Sequence, residues 1–281
     1  MRLLFALLSL SLMFGTVQAQ DLELESSKQA LELSRLNQEK DIQWIHMTPT
    51  LSASPEGRAA SAEYHMRKEM GLIPTGKGSQ FVIGETRNFA VLNIKESQTE
   101  TVEFTLMAEH SFFNVWVESS QLASNGGNVT DADIAAMVTA AGVQTPSGSV
   151  NPNKGIVEND EAVFGPPSDV DGSGKMDILL HDIKDFYDPA NNNFGAVAGF
   201  FSPADLSSNS NQADIIHLDT MPGMYRQDGS PVSQANLHRT LAHEYEHLIM
   251  QANKGFEATF VSEGQAEWAE VVNGYSPRTV S

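Results

Sequence analysis

Five residues, His243-Glu244-Tyr245-Glu246-His247, restrict what this chain can fold into more than any other stretch. In a helix, side chains four positions apart stack on one face about 6 Å from each other. Two imidazoles so placed reach a single metal ion, and the glutamate between them stands beside it, which is the arrangement of zinc hydrolases. The neighbours support a helix: Leu237, Leu241, Tyr245, Leu248 and Ala252 recur at helical spacing, Ser233 is a candidate N-cap and Gly255 a stop. His243 and His247 lie roughly 200–240° round from Leu241 at about 100° per residue, off the apolar stripe. Core packing alone does not ask for histidines there. The plain alternative is a solvated or core-satisfied histidine pair.

Two histidines do not complete a catalytic zinc site, which needs a third protein ligand and an open position for water. Glu263 is the best candidate. It opens an expected helix, 263–273, with Ser262 and Gln265 as a capping box. Glu267 and Glu270 share its face, and by spacing any of the three could bind the ion. We expect Glu263 to be the ligand and Glu267 to orient a ligand imidazole, the alternative being a solvated acidic face. No H-x-x-G-x-x-H follows His247, which argues against the metzincin branch.

The rest of the chain sets the context. Its 281 residues, 41% hydrophobic, suffice for a catalytic domain with a smaller module. With 36 acidic against 17 basic side chains the formal charge is −19, which disfavours nucleic acid and anionic lipid as partners. The chain has no cysteine, so thiolate metal sites and cysteine nucleophiles are excluded. Met1-Arg2, the apolar run from Leu3 to Phe14 and a small-residue ending at Ala19 read as a signal peptide over 1–19. The run is too short to span a bilayer, so we expect a secreted or periplasmic protein, of bacterial type, without a membrane span.

Residues 20–77 are polar, charged and helical in character, and are expected to form either a propeptide that shields the active site, or a linker or N-terminal helix packed on the next module. Short apolar runs over 78–122 predict a small antiparallel β module, and 123–281 a catalytic domain of α+β class. Within it Asp169-Val-Asp171-Gly-Ser173-Gly-Lys175-Met-Asp177 runs into a predicted strand. Oxygens at alternate positions in a glycine-rich loop suit Ca²⁺, with Asp169, Asp171, Ser173, Lys175 and Asp177 as candidate ligands. It is not an EF-hand, since Leu180 stands where a bidentate glutamate belongs; an ion-free polar turn is the alternative. The strand expected over 214–219 is the candidate edge for an extended substrate, and the long polar stretch 185–212 a candidate for further substrate contact.

The motif followed by Ser262-Glu263-Gly264-Gln-Ala266-Glu267 resembles the gluzincin pattern of H-E-x-x-H and a downstream N-E-G-x-A. Together with 169–182, Gly199-Phe-Phe-Ser-Pro and 213–220, it is similar to the hyicolysin-type neutral zinc metallopeptidases. The resemblance covers about 130–275. It implies a zincin-like domain, a mixed sheet with an active-site helix, and a secreted endopeptidase acting on proteins or peptides. In that reading zinc is held by His243, His247 and Glu263, and Glu244 is the general base for a zinc-activated water. Ser262 stands where asparagine is common. Such enzymes usually continue beyond the position of Ser281 into a further helical subdomain, which leaves the oxyanion-stabilising group unassigned. Tyr275 is near the site only in sequence. A reading of a different class is a secreted, calcium-stabilised binding protein with a vestigial or incomplete zinc site.

Overall fold

A computed structural model describes residues 42–74, 81–255 and 257–276. The signal peptide expected over 1–19 lies outside the described residues, as do the parts of 20–77 before residue 42 and after residue 74. The fold described below is that of the compact unit Trp44–Ser281.

Apolar runs supply the centre of the molecule. Strands β1 (Thr86–Asn93), β2 (Gln98–Glu109) and β3 (Phe113–Glu118) form an antiparallel meander, with a bulge in β2 between Leu106 and Ala108. Beside β3 lie β4 (Met176–His181), β6 (Ile215–Asp219) and the short β5 (Gly199–Phe201), giving the sheet order β1-β2-β3-β4-β6-β5. The pairs β3/β4 and β4/β6 are parallel, while β5 runs antiparallel to β6. The sheet is therefore mixed and continuous across the boundary expected at residue 122. What the sequence suggested as a separate β module is one half of the sheet. The apolar run at 81–83, within the β module expected over 78–122, is not a strand, and Val82 and Ile83 are exposed.

Strands β3, β4 and β6 are covered on both faces, which is why they read as near-continuous apolar runs. Val115, Val117, Ile178, Leu180, Ile216 and Leu218 point to one face, where they join the main core with the helices. Trp116, Leu179 and Ile215 point to the other and meet Phe89, Phe104 and Leu106 from β1 and β2. Residues two apart share a face and neighbours oppose, as the pleat requires.

Six helices are used below: α1 (Thr48–Ala53), α2 (Pro55–Glu69), α3 (Asp131–Gly142), α4 (Ile156–Phe164), α5 (Ala235–Lys254) and α6 (Thr259–Val272). Helix α3 begins with a capping box in which Thr130 and Asp133 satisfy each other's backbone donors. Helix α5 carries the histidine motif. Leu237, Leu241, Tyr245 and Leu248 anchor it in the main core, as the apolar spacing predicts. It stops at Gly255, whose φ of 74° lies in the left-handed region that favours glycine. Ser233 is not the N-cap, a position taken by Gln234 without a side-chain bond.

Candidate metal centre

Helix α5 is buried on almost its whole circumference between 240 and 249, the histidines and both motif glutamates included. The helix lies between the sheet, α4 and α6, so the polar flank of the stripe faces other protein rather than water. Buried polar groups must then be satisfied or hold something.

His243 Nδ1 lies 3.0 Å from Glu270 Oε1, and His247 Nδ1 lies 3.0 Å from Ser262 Oγ. Both partners sit on α6. The two inner imidazole edges are thus fixed, and the outer nitrogens converge on a third α6 residue. Glu263 Oε2 is 3.5 Å from His243 Nε2, and Glu263 Oε1 is 3.2 Å from His247 Nε2. His243 Nε2, His247 Nε2 and Glu263 Oε1 are buried without a hydrogen-bond partner. Three converging orphan atoms from two imidazoles and a carboxylate are the donor set of a zinc site of the His₂Glu kind, so the residues fit that ion.

Electrostatics agrees with the geometry. Burial alone would lower His243, but the Glu263 and Glu270 carboxylates outweigh it and carry the imidazole up to about 10. Burial alone would raise Glu263, and the surrounding imidazoles of His243, His247 and His46 instead bring it far below the usual carboxylate range. The pocket accumulates positive charge next to its carboxylates. A divalent cation would take the place of those protons, so its binding is coupled to proton release.

The sequence-derived assignments fall into place unevenly. His243, His247 and Glu263 come together, with Glu244 beside them on the face toward β5. Glu267 does not join them: it is exposed, and the carboxylate that orients His243 is Glu270, three residues further on. Spacing could not separate these two because both share a helix face with Glu263. Ser262 is not a cap either, because α6 begins at Thr259 after N-cap Ala258, which leaves its hydroxyl free for His247. Tyr275 packs against the main core, where burial pushes its hydroxyl up to about 12. Glu246, the other motif glutamate, is pushed up to about 8 by burial and lies 4.0 Å from His247 Nδ1, the ring edge away from Glu263.

Glu244 is buried, and its Oε2 accepts from Thr48 Oγ1 at 2.6 Å and from the Phe201 backbone N–H at 3.1 Å. Phe201 belongs to β5, which ends the sheet and flanks the motif helix. The edge available to an extended peptide is therefore β5, within the long 185–212 stretch. The 214–219 strand is not an edge, having β4 on one side and β5 on the other.

No motif or spacing pointed to His46 and Thr48, a lone histidine and a threonine in the polar N-terminal segment. His46 Nδ1 is 3.2 Å from Glu263 Oε2, and its ring centroid is 4.9 Å from that of His243. His46, His243 and Glu263 each offer a ligand atom, all within 4.8 Å of one another.

The acidic loop has a different composition from the one expected. Asp169, Asp171 and the buried Asp214 each offer a carboxylate oxygen within 4.8 Å of the others. Asp177 is turned into the protein, where its Oδ1 accepts from Asn114 Nδ2 at 2.8 Å and Trp116 Nε1 at 2.9 Å. Ser173 Oγ donates to the Lys175 carbonyl, and the Lys175 ammonium pairs with Glu109. Five alternating ligands therefore do not converge, because Asp177 already belongs to β4, where its side chain faces Trp116.

No protein-family model matches the chain. The chain is 28% identical over 194 residues to the neutral metalloprotease ShpI of Staphylococcus hyicus, a span of 67% of this chain and 38% of that protein. The chain thus spans less than two-fifths of the length of that relative. The likeness supports a metalloprotease at the level of the family. Among the described residues no helix is long and apolar enough to cross a membrane.

Proposed function

We propose that the chain is a zinc-dependent endopeptidase that hydrolyses peptide bonds of proteins, exported by way of the signal peptide at 1–19. The observation that carries this reading is the convergence of His243 Nε2, His247 Nε2 and Glu263 Oε1, all buried and unpaired, beside the carboxylate of Glu244. The relative's name points the same way. His243, His247 and Glu263 would hold the ion. Bound there, zinc supplies a Lewis acid that polarises a peptide carbonyl and makes water a stronger acid.

The protein's own residues do the remainder. Glu270 and Ser262 hold the two imidazoles so that their outer nitrogens face the ion. Strand β5 offers its open side to an extended substrate, which adds as a further strand by main-chain hydrogen bonds. Glu244 Oε2 takes the proton from the attacking water and returns it to the leaving amine. Its position next to the Phe201 N–H brings the base to the same edge that positions the scissile bond.

Zinc analysis of purified protein, combined with chelator-sensitive cleavage of casein, tests the reading. Stoichiometric zinc and cleavage that stops on chelation are expected. A metal-free protein that cleaves nothing would favour a binding protein instead.

A further inference from the structure

The segment that leads into α1, with Thr48 as the helix's first residue, lies across this site in a specific way. Ile45 N–H donates to the Ala196 carbonyl at 2.8 Å. His46 turns its Nδ1 toward Glu263 Oε2, and Thr48 Oγ1 donates to Glu244 Oε2 while accepting from the Phe201 N–H at 2.9 Å. A catalytic zinc site differs from a structural one in keeping a coordination position open. A histidine from outside the motif, His46, lies 3.2 Å from the same carboxylate, where a further ligand would have to come from. The same short stretch also engages the group placed to activate water and the backbone N–H of the strand that would take substrate. Three separate elements of the site are covered by residues only two apart. The covering side chain is not core: His46 is one-third exposed, whereas His243 and His247 are almost fully buried.

We infer that His46 is a fourth metal ligand and that the His46–Thr48 stretch is a built-in latch, which keeps the uncleaved chain inactive by closing the metal's open position and occupying Glu244. This rests on the zinc-peptidase reading. An intramolecular ligand competes at an effective concentration on the order of millimolar. A peptide substrate at lower concentration cannot displace it unless the stretch is cut or pulled away. Thr48 makes the closure selective, since its hydroxyl meets the carboxylate in the place that water needs. Activation then requires no rearrangement of α5 or α6, only departure of the segment.

The test uses the full chain, loaded with zinc, as wild type, H46A and T48V. X-ray absorption at the zinc edge counts imidazoles directly: three are expected in the wild type and two in H46A, with T48V like the wild type. Casein cleavage by the uncleaved H46A chain should exceed that of the wild type by roughly tenfold or more, as a blocked state loses its advantage. T48V should show a smaller gain. Because His46 is partly exposed, its loss opens no core cavity, and H46Q provides a second variant of similar size. An unchanged imidazole count in both H46A and H46Q, with zinc still bound, overturns the latch and leaves the peptidase reading standing. So does a fall in activity at a reduced count, which would make His46 a working part of the enzyme. Absence of zinc from all variants overturns both.

Discussion

Glu270 accepts from His243 Nδ1 at 3.0 Å from about two turns of helix beyond Glu263, the carboxylate that faces the same ring's other nitrogen. One helix thus grips one imidazole from both edges. Removing the inner grip by Glu270→Ala leaves ring orientation to packing alone and should weaken zinc binding by about 10- to 100-fold. Glu267→Ala, on the exposed side of α6, should leave it unchanged. Competition with a chromogenic chelator measures both, and equal losses would remove the distinction.

Glu244 makes no approach to Glu263 of the kind the histidines make, and its partners are Thr48 and Phe201. Glu244→Gln should therefore retain zinc while losing casein cleavage by at least about a hundredfold. Undiminished cleavage in that variant sinks its assignment as the base.

Asp177 and Asp171 sit in one acidic run but should respond unequally. Asp177→Ala strands Asn114 Nδ2 and Trp116 Nε1 inside the protein, at a cost of about 3 kcal/mol or more in stability. Asp171, more exposed and bonded locally to Ser173 N–H, should cost under about 1 kcal/mol on change to Ala. Urea unfolding of the two variants compares them.

Burial pushes Asp214 up to about 7, while Ser168 and the Val170 N–H, which bond to it, hold it back in part. A carboxyl raised on folding contributes stability that is full below the unfolded value of 3.8 and is lost as pH rises through about 7. The loss should be on the order of 4 kcal/mol across that window, and Asp214→Asn should flatten it. A cation held between Asp169, Asp171 and Asp214 would replace the proton, in which case added Ca²⁺ should raise the melting temperature above about pH 7 and little below about pH 5. Melting curves at the two pH values, with and without Ca²⁺, decide this.

How much could be read in advance depended on whether the information was local. The motif helix and its stop at Gly255 follow from spacing within a few residues, and both are found. His243, His247 and Glu263 meet because two helices carry them in a short stretch. Sheet continuity was not legible, since β3 and β4 pair across nearly sixty residues and nothing in either run names its partner. Glu270 was obscured by Glu267, an equally good carboxylate on a helix whose start lies four residues earlier than the capping pattern suggested. His46 and Thr48 carry no motif at all. Their place is set by tertiary packing nearly two hundred residues from the helix they touch.

Strand β5 is three residues long. At about 3.3 Å per residue it offers roughly 10 Å of unpaired backbone once uncovered. That length holds a peptide over about three residues, and is too short to template lasting pairing between copies of the chain, the usual hazard of an open sheet edge. On the proposed peptidase reading, an edge this short limits how long a substrate strand can stay attached, which favours turnover over aggregation.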